Sequence, residues 1–195
     1  MAFAVSSSPP AVAGAPGGKI IFGTNPMAFA APLADVNAPL VFDQASSATA
    51  FINLVKAAEE GREIPLGWAI HETGNVTTDA KAGLRGALLA FGGAKGANVA
   101  LMVECLAAGL SGASWSLDMP DLERGDQVID AAMTIITILP TVIDEGFSTR
   151  LSEHLDRLAE RGAYVPGRRS VQDCISQEKR VSIDTAVLEE IRRSL

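Results

Sequence analysis

The chain has 195 residues, 48% of them hydrophobic, and a formal net charge of −7. That length fits one domain, or one domain with an appendage, and is enough to bury a sizeable core. The acidic balance argues against nucleic-acid backbones and anionic membranes as partners, because both demand a basic face. Cys105 and Cys174 are far apart and form no C-x-x-C, so no metal site is expected and a reducing, cytoplasmic compartment fits. No uninterrupted apolar run reaches the ~18 residues of a membrane span, and the N-terminus lacks the basic start of a signal peptide.

Met1-Ala2-Phe3-Ala4-Val5 reads as a β-strand entered partway along. Residues 6–18, rich in Pro, Gly, Ala and Ser, read as an irregular loop or flexible linker. Gly18-Lys19 does not complete a P-loop, since Ala13 and Ile20 stand where a glycine and a Ser/Thr are required. Strands are predicted over 19–22, 27–31 and 40–43. A helix follows, capped by Ser46 or Ser47, with Phe51, Leu54, Val55 and Ala58 on one stripe and an end by Gly61. Residues 64–70 read as a strand, Gly74-Asn75 as a turn, and Asp79 as the cap of a short helix.

Residues 88–91 lead into a glycine turn, and 97–110 read as a helix apolar on all sides and therefore central. After a loop over 111–126, residues 128–139 read as a strand, with a helix as the alternative, and Pro140 ends it. An amphipathic helix over 144–161 turns Phe147, Leu151, Leu155 and Leu158 inward. Residues 164–169 turn around Pro166-Gly167, and a last helix after Asp184 buries Val187, Leu188, Ile191 and Leu195. Strands and helices mix without a regular βαβ alternation, and no G-x-G-x-x-G occurs, so the expected class is mixed α/β (α+β) without a standard Rossmann fingerprint. The expected division is a partial strand and loop over 1–18, then one domain over 19–195 with a helical segment from about 140.

Four places invite a functional reading. Phe91-Gly92-Gly93-Ala94-Lys95-Gly96 opens a helix. There, free backbone N–H groups and the Lys95 charge can hold a phosphate or carboxylate. The same pattern also makes a plain turn with a solvated lysine. Gly23-Thr24-Asn25-Pro26 is an ordinary turn in which Pro26 pushes Asn25 to an extended conformation, or it offers the Thr24 hydroxyl to a substrate carboxylate. Asp43-Gln44-Ala45 ends a strand, where an acid can bind sugar hydroxyls, and the following serines can serve as caps. Arg161, Arg168 and Arg169 surround the Pro166-Gly167 turn, either solvated or clamping a phosphate. His71 and His154 show no nucleophilic-triad spacing, which leaves little acid–base machinery near neutral pH.

Taken in order, these pieces resemble the type-2 malate/L-lactate dehydrogenase family. The matching segments are Gly17-Gly18, Gly23-Thr24-Asn25-Pro26, Phe42-Asp43-Gln44-Ala45-Ser46-Ser47, and Ile64-Pro65-Leu66-Gly67-Trp68-Ala69-Ile70. They continue with Gly74-Asn75-Val76-Thr77-Thr78-Asp79, Phe91-Gly92-Gly93-Ala94-Lys95-Gly96, Met102-Val103-Glu104, Leu110-Ser111-Gly112 and Val165-Pro166-Gly167-Arg168-Arg169. Gly-Gly-Ala-Lys-Gly and Ala107-Ala108-Gly109-Leu110 look most like the cyclic-imine (Δ1-piperideine-2-carboxylate) reductase branch.

The resemblance implies a non-Rossmann, L-sulfolactate dehydrogenase-like fold, usually dimeric, using NADP or NAD on a small 2-oxo or 2-hydroxy acid or a cyclic imino acid. It implies substrate contact at Thr24 and cofactor contact at Asp43, Gln44, Ala45, Lys95, Gly167, Arg168 and Arg169. An arginine there could read a 2′-phosphate and favour NADP. It also implies that the chain begins where the family is already more than a third complete. The family's N-terminal helical part, with its proton-donating histidine, its substrate-binding arginine and half of the cofactor site, is then expected to lie outside these residues.

This sequence departs from the family at several positions. Phe51 and Ile52 replace Arg-Gly or His-Gly, and Asn53 replaces an aspartate that supports the catalytic histidine. His71 stands for another aspartate, Ala90 for a proline, and Ala94 for a frequent tyrosine. No catalytic residue is therefore assigned within the chain. Two expectations stand side by side: an oxidoreductase whose histidine comes from an upstream segment or a second polypeptide, and a truncated, non-catalytic homologue that binds nucleotide or only dimerises.

Overall fold

In the computed structural model, which describes residues 1–120, 128–167, 183 and 185–194, two β-sheets organise the chain. The strands are β1 (Ala2–Ser6), β2 (Val12–Ala13), β3 (Ile20–Phe22), β4 (Met27–Ala31), β5 (Leu40–Gln44), β6 (Ala69–Ile70), β7 (Val76–Thr77), β8 (Ala87–Leu89) and β9 (Met133–Thr137). The described helices are α1 (Phe51–Glu59), α2 (Ala80–Arg85), α3 (Ala94–Glu104), α4 (Phe147–Glu160) and α5 (Thr185–Ser194). A π-helical turn, Cys105–Gly109, extends α3, and short 3-10 turns lie at Ser116–Asp118 and Pro140–Val142.

The first sheet is antiparallel, in the order β5-β4-β1-β9. Phe3 pairs with Phe29 and Val5 with Met27, so strand alternation puts these four on one face. Val103 and Ala107, from α3 and its π turn, pack on the Val5 end of that face. Leu155 of α4 packs with Ala31 and Leu40 at the other end. The opposite face carries the small residues Ala2, Ala4, Ala28 and Ala30, flanked by the exposed Val41, Met133 and Ile135.

The second sheet is mixed, in the order β3-β2-β8-β6-β7, with β2 and β8 parallel. Val12, Ala69 and Leu88 join Leu54, Ala57 and Ala58 of α1 and Ala80 of α2 in one cluster. Ala13, Ile70, Ala87 and Leu89 form a separate cluster. That split is the two-residue period of a strand buried on both faces. Leu54, with no exposed surface, contributes about 2 kcal/mol by burial.

The mixed α/β class is as expected, and several local readings are corrected. Residues 6–18 are not a free linker: β2 lies within them, Val12 and Ala13 are fully buried, and Ser6 and Ser7 are bonded to Ala132. The predicted 64–70 strand shrinks to Ala69–Ile70, because Pro65 starts a turn closed by Trp68 N–H donating to the Pro65 carbonyl. Neither Ser46 nor Ser47 caps α1; its N-cap is Ala50, with no side-chain cap. Phe51 is exposed and Ala57 takes the inner place on that helix. Helix α3 is not enclosed, since Leu101, Met102, Cys105 and Leu110 are exposed. Val187 and Ile191 of α5 are likewise exposed rather than buried. Cys174, Arg168, Arg169 and Leu195 lie outside the described residues.

Asp79 does cap α2, its carboxylate accepting from Lys81 N–H at 2.9 Å. The inward stripe Phe147, Leu151, Leu155 and Leu158 of α4 is also as predicted.

Candidate functional site

The turn between β3 and β4 is built around two unusual backbone positions. A Cβ on Gly23 would stand 2.2 Å from the Ser8 carbonyl oxygen, so only glycine fits. Asn25 adopts φ +41°, the one positive value among described non-glycine residues, and is fully buried. Asn tolerates this left-handed region better than most side chains. Between them, Thr24 is gripped at its carbonyl and at its hydroxyl. Its carbonyl accepts from Ser46 N–H at 2.8 Å and from Ser46 Oγ at 2.9 Å. Its hydroxyl lies 3.2 Å from Ser8 Oγ, and the residue keeps partial exposure.

Ser46 belongs to the segment that leaves β5. Asp43 and Gln44 are exposed at the end of that edge strand, Ala45 is half-buried, and Ser46 is fully buried. The Ser46 carbonyl accepts from Phe91 N–H at 3.0 Å, Ser47 bridges to Ala90, and Ala48 N–H donates to the Leu89 carbonyl at 2.7 Å. The same few residues therefore hold Thr24 on one side and the entrance to the glycine turn on the other.

The glycine turn needs its glycines for distinct reasons. Gly92 and Gly93 have φ of +59° and +65°. A Cβ on Gly96 would stand 2.1 Å from the Phe91 carbonyl oxygen. Gly93 is the N-cap of α3, no side chain caps it, and the first turn holds no acid. The N–H groups of Ala94, Lys95 and Gly96 have no carbonyl one turn earlier within the helix. Lys95 is exposed beside them. Uncapped N–H groups, the positive end of the helix dipole and an ammonium together favour an anion.

Backbone bonding thus ties Thr24 through Ser46 to the segment that follows Asp43, Gln44 and Ala45, and to Phe91, four residues before Lys95. Gly167, in the turn after Val165, lies beside the middle of β5: a Cβ there would be 3.8 Å from the Val41 carbonyl oxygen. It helps line a cleft of about 470 Å³ with Leu40, Leu155 and Val165. His71 is tied into its own turn, its Nδ1 accepting from Thr73 N–H at 3.0 Å, and His154 is exposed on α4. Neither joins the site. Asn53 donates through Nδ2 to Thr49 Oγ1 at 3.0 Å, and Phe51 and Ile52 are exposed beside it. Sequence reasoning missed Ser8 and treated Ser46 as a cap; their serine runs gave no sign of the long-range partners.

The family model of malate/L-lactate dehydrogenase matches residues 1–192. The chain belongs to that family. It is 37% identical to a Δ1-pyrroline-2-carboxylate/Δ1-piperideine-2-carboxylate reductase of Pseudomonas aeruginosa, over 100% of this chain and 59% of that protein. It is 32% identical to a (2R)-3-sulfolactate dehydrogenase (NADP(+)) of Chromohalobacter salexigens, over 98% of this chain and 58% of that protein. The crystal structure of Δ1-piperideine-2-carboxylate reductase from Pseudomonas syringae pvar. tomato superposes with a TM-score of 0.85 at 36% identity, covering 98% of this chain and 60% of that one. The chain therefore spans about three fifths of the length of these relatives.

Proposed function

We propose that this chain forms the nucleotide- and carboxylate-binding part of an NAD(P)H-dependent oxidoreductase acting on a small 2-oxo or 2-hydroxy acid or a cyclic imino acid. One observation carries the reading: Ser46 is bonded to both Thr24 and Phe91, which ties the candidate substrate turn to the glycine turn bearing Lys95. The uncapped α3 N-terminus and Lys95 fit the phosphates of a pyridine nucleotide. Asp43 and Gln44, exposed at the end of β5, fit its ribose hydroxyls. Gly167, Arg168 and Arg169 belong to the same assignment, with the arginines reading a 2′-phosphate. The NADP(+) in the sulfolactate dehydrogenase's name favours NADP over NAD here.

When bound, the nicotinamide supplies or accepts the hydride. The chain's own contributions are orientation and charge. Thr24 donates a hydrogen bond to the substrate carboxylate, and Lys95 holds the cofactor. Proton transfer is assigned to no residue of this chain, since both histidines lie outside the site. We place the protein in the cytoplasm; among the described residues no helix is long and apolar enough to cross a membrane. The exposed apolar residues Met133, Ile135, Leu101 and Met102 favour assembly, and a homodimer is the proposed form.

Isothermal titration with NADPH, NADH and ADP-ribose tests the binding half. Loss of absorbance at the nicotinamide band with Δ1-piperideine-2-carboxylate or pyruvate tests the reaction. Absence of any nucleotide binding would defeat the proposal. A second reading is nucleotide binding without turnover. It is favoured by Asn53, an uncharged amide already engaged with Thr49, where a carboxylate would have to steady an imidazolium. Clear NADPH affinity with no turnover would select it.

A further inference from the structure

Helix α3 reaches the substrate turn a second time, through a buried polar cluster far from Lys95. Glu104, in its last turn, is only 5% exposed. Its Oε1 accepts from Asn25 Nδ2 at 3.1 Å. The same Nδ2 donates to the Ala100 carbonyl at 3.1 Å. Ser116 Oγ, also fully buried, donates to Asn25 Oδ1 at 3.2 Å. Asn25 N–H donates to Ser8 Oγ at 3.3 Å, the oxygen that also meets the Thr24 hydroxyl. The amide is thus held through both its nitrogen and its oxygen by elements remote in sequence.

A buried carboxylate is an expensive way to fill space. Burial of such a group costs free energy unless it is hydrogen-bonded. What the carboxylate adds is an acceptor aimed at Asn25, whose φ of +41° sets the direction of the chain at Thr24. We propose that Glu104, assisted by Ser116, is a positioning residue: it holds Asn25 in its left-handed conformation and so fixes the Thr24 hydroxyl relative to Lys95, at the other end of the same helix. The functional weight of this rests on the reading of Thr24 as the substrate contact. The positioning itself does not.

The test is amide hydrogen exchange by NMR on the full chain, comparing wild type with Glu104→Ala, Glu104→Gln and Ser116→Ala. Glu104→Gln keeps an oxygen acceptor for Asn25; Glu104→Ala does not. The expected result in Glu104→Ala is about tenfold faster exchange at Asn25 and Ser46 N–H, with Leu54 and Ala57 of α1 unchanged, as for loss of one buried hydrogen bond. Glu104→Gln should stay within about twofold of wild type, and Ser116→Ala should accelerate the same two amides by several-fold. Unchanged exchange at Asn25 and Ser46, or acceleration spread equally over α1, overturns the proposal. Should Glu104→Ala fail to fold, Ser116→Ala decides by the same criterion. Titration with oxamate separates the functional reading. If wild type binds oxamate, Ser116→Ala should weaken it several-fold while leaving ADP-ribose affinity unchanged. If wild type binds none, the role of Thr24 fails, and the exchange data still decide the positioning.

Discussion

Replacing Gly96 with alanine pits a local rule against a tertiary contact. Gly96 lies in the first turn of α3. Helix propensity alone favours alanine over glycine by about 1 kcal/mol. The structure places the added methyl 2.1 Å from the Phe91 carbonyl oxygen and 2.9 Å from the Phe91 nitrogen. Both are backbone atoms, so no side-chain rotation relieves the overlap. The helix start or the Phe91 peptide must shift, and Phe91 N–H is the group bonded to Ser46. A cost at the upper end of the overpacking range, about 3 kcal/mol, less the propensity gain, leaves a net loss of about 2 kcal/mol.

Urea unfolding followed by circular dichroism measures this directly. With a slope of about 2 kcal/mol/M, the midpoint should fall by about 1 M. Gly92→Ala is the control. Its φ is +59° with open space around the missing Cβ, so it should lose only the left-handed backbone cost, about 1 kcal/mol. A Gly96→Ala protein as stable as wild type, or more stable, would refute the close approach of Phe91 to α3.

Three further outcomes follow from single residues. Leu54→Ala removes a fully buried side chain between α1 and the second sheet and should cost about 3 kcal/mol in the same assay. Asp79→Ala deletes the only side-chain cap among the described helices α1 to α4, and a loss of about 1 kcal/mol is expected. Lys95→Ala should weaken ADP-ribose binding about tenfold by calorimetry, with no change in thermal midpoint, because the side chain is exposed and its loss removes only a charge at the helix start.

What could be read in advance was what periodicity alone determines. The Leu151–Leu155–Leu158 stripe of α4 turns inward on a face that its own spacing defines. The Val12–Ala13 strand gives no such signal. It has two residues, it lies between Pro10 and Pro16, and its burial comes from parallel pairing with β8, more than seventy positions away. Ser46 fails for a related reason. Its local propensity says cap, but its hydroxyl and N–H are both taken by Thr24. The candidate site was legible only as motifs: the glycine turn announced its backbone, whereas Pro26 predicts an extended Asn25 and the structure gives that residue φ +41°. What joined the motifs was not legible, because the joining bonds run between backbone atoms and small hydroxyls that any sequence could supply.

The choice of Asn25 shows how these levels meet. Glycine would adopt φ +41° without strain, and much of the turn would be satisfied by it. It would also strand the Glu104 carboxylate and the Ser116 hydroxyl, both of which Asn25 now engages. Each stranded buried group costs about 1–3 kcal/mol, so two of them outweigh the ~1–3 kcal/mol of a single left-handed residue with a side chain. The balance favours a residue that tolerates the backbone and carries both a donor and an acceptor on a short stem. Aspartate has the stem but would set a second charge against Glu104. Asparagine alone meets both demands, so the turn that presents Thr24 is specified by the helix behind it as much as by its own sequence.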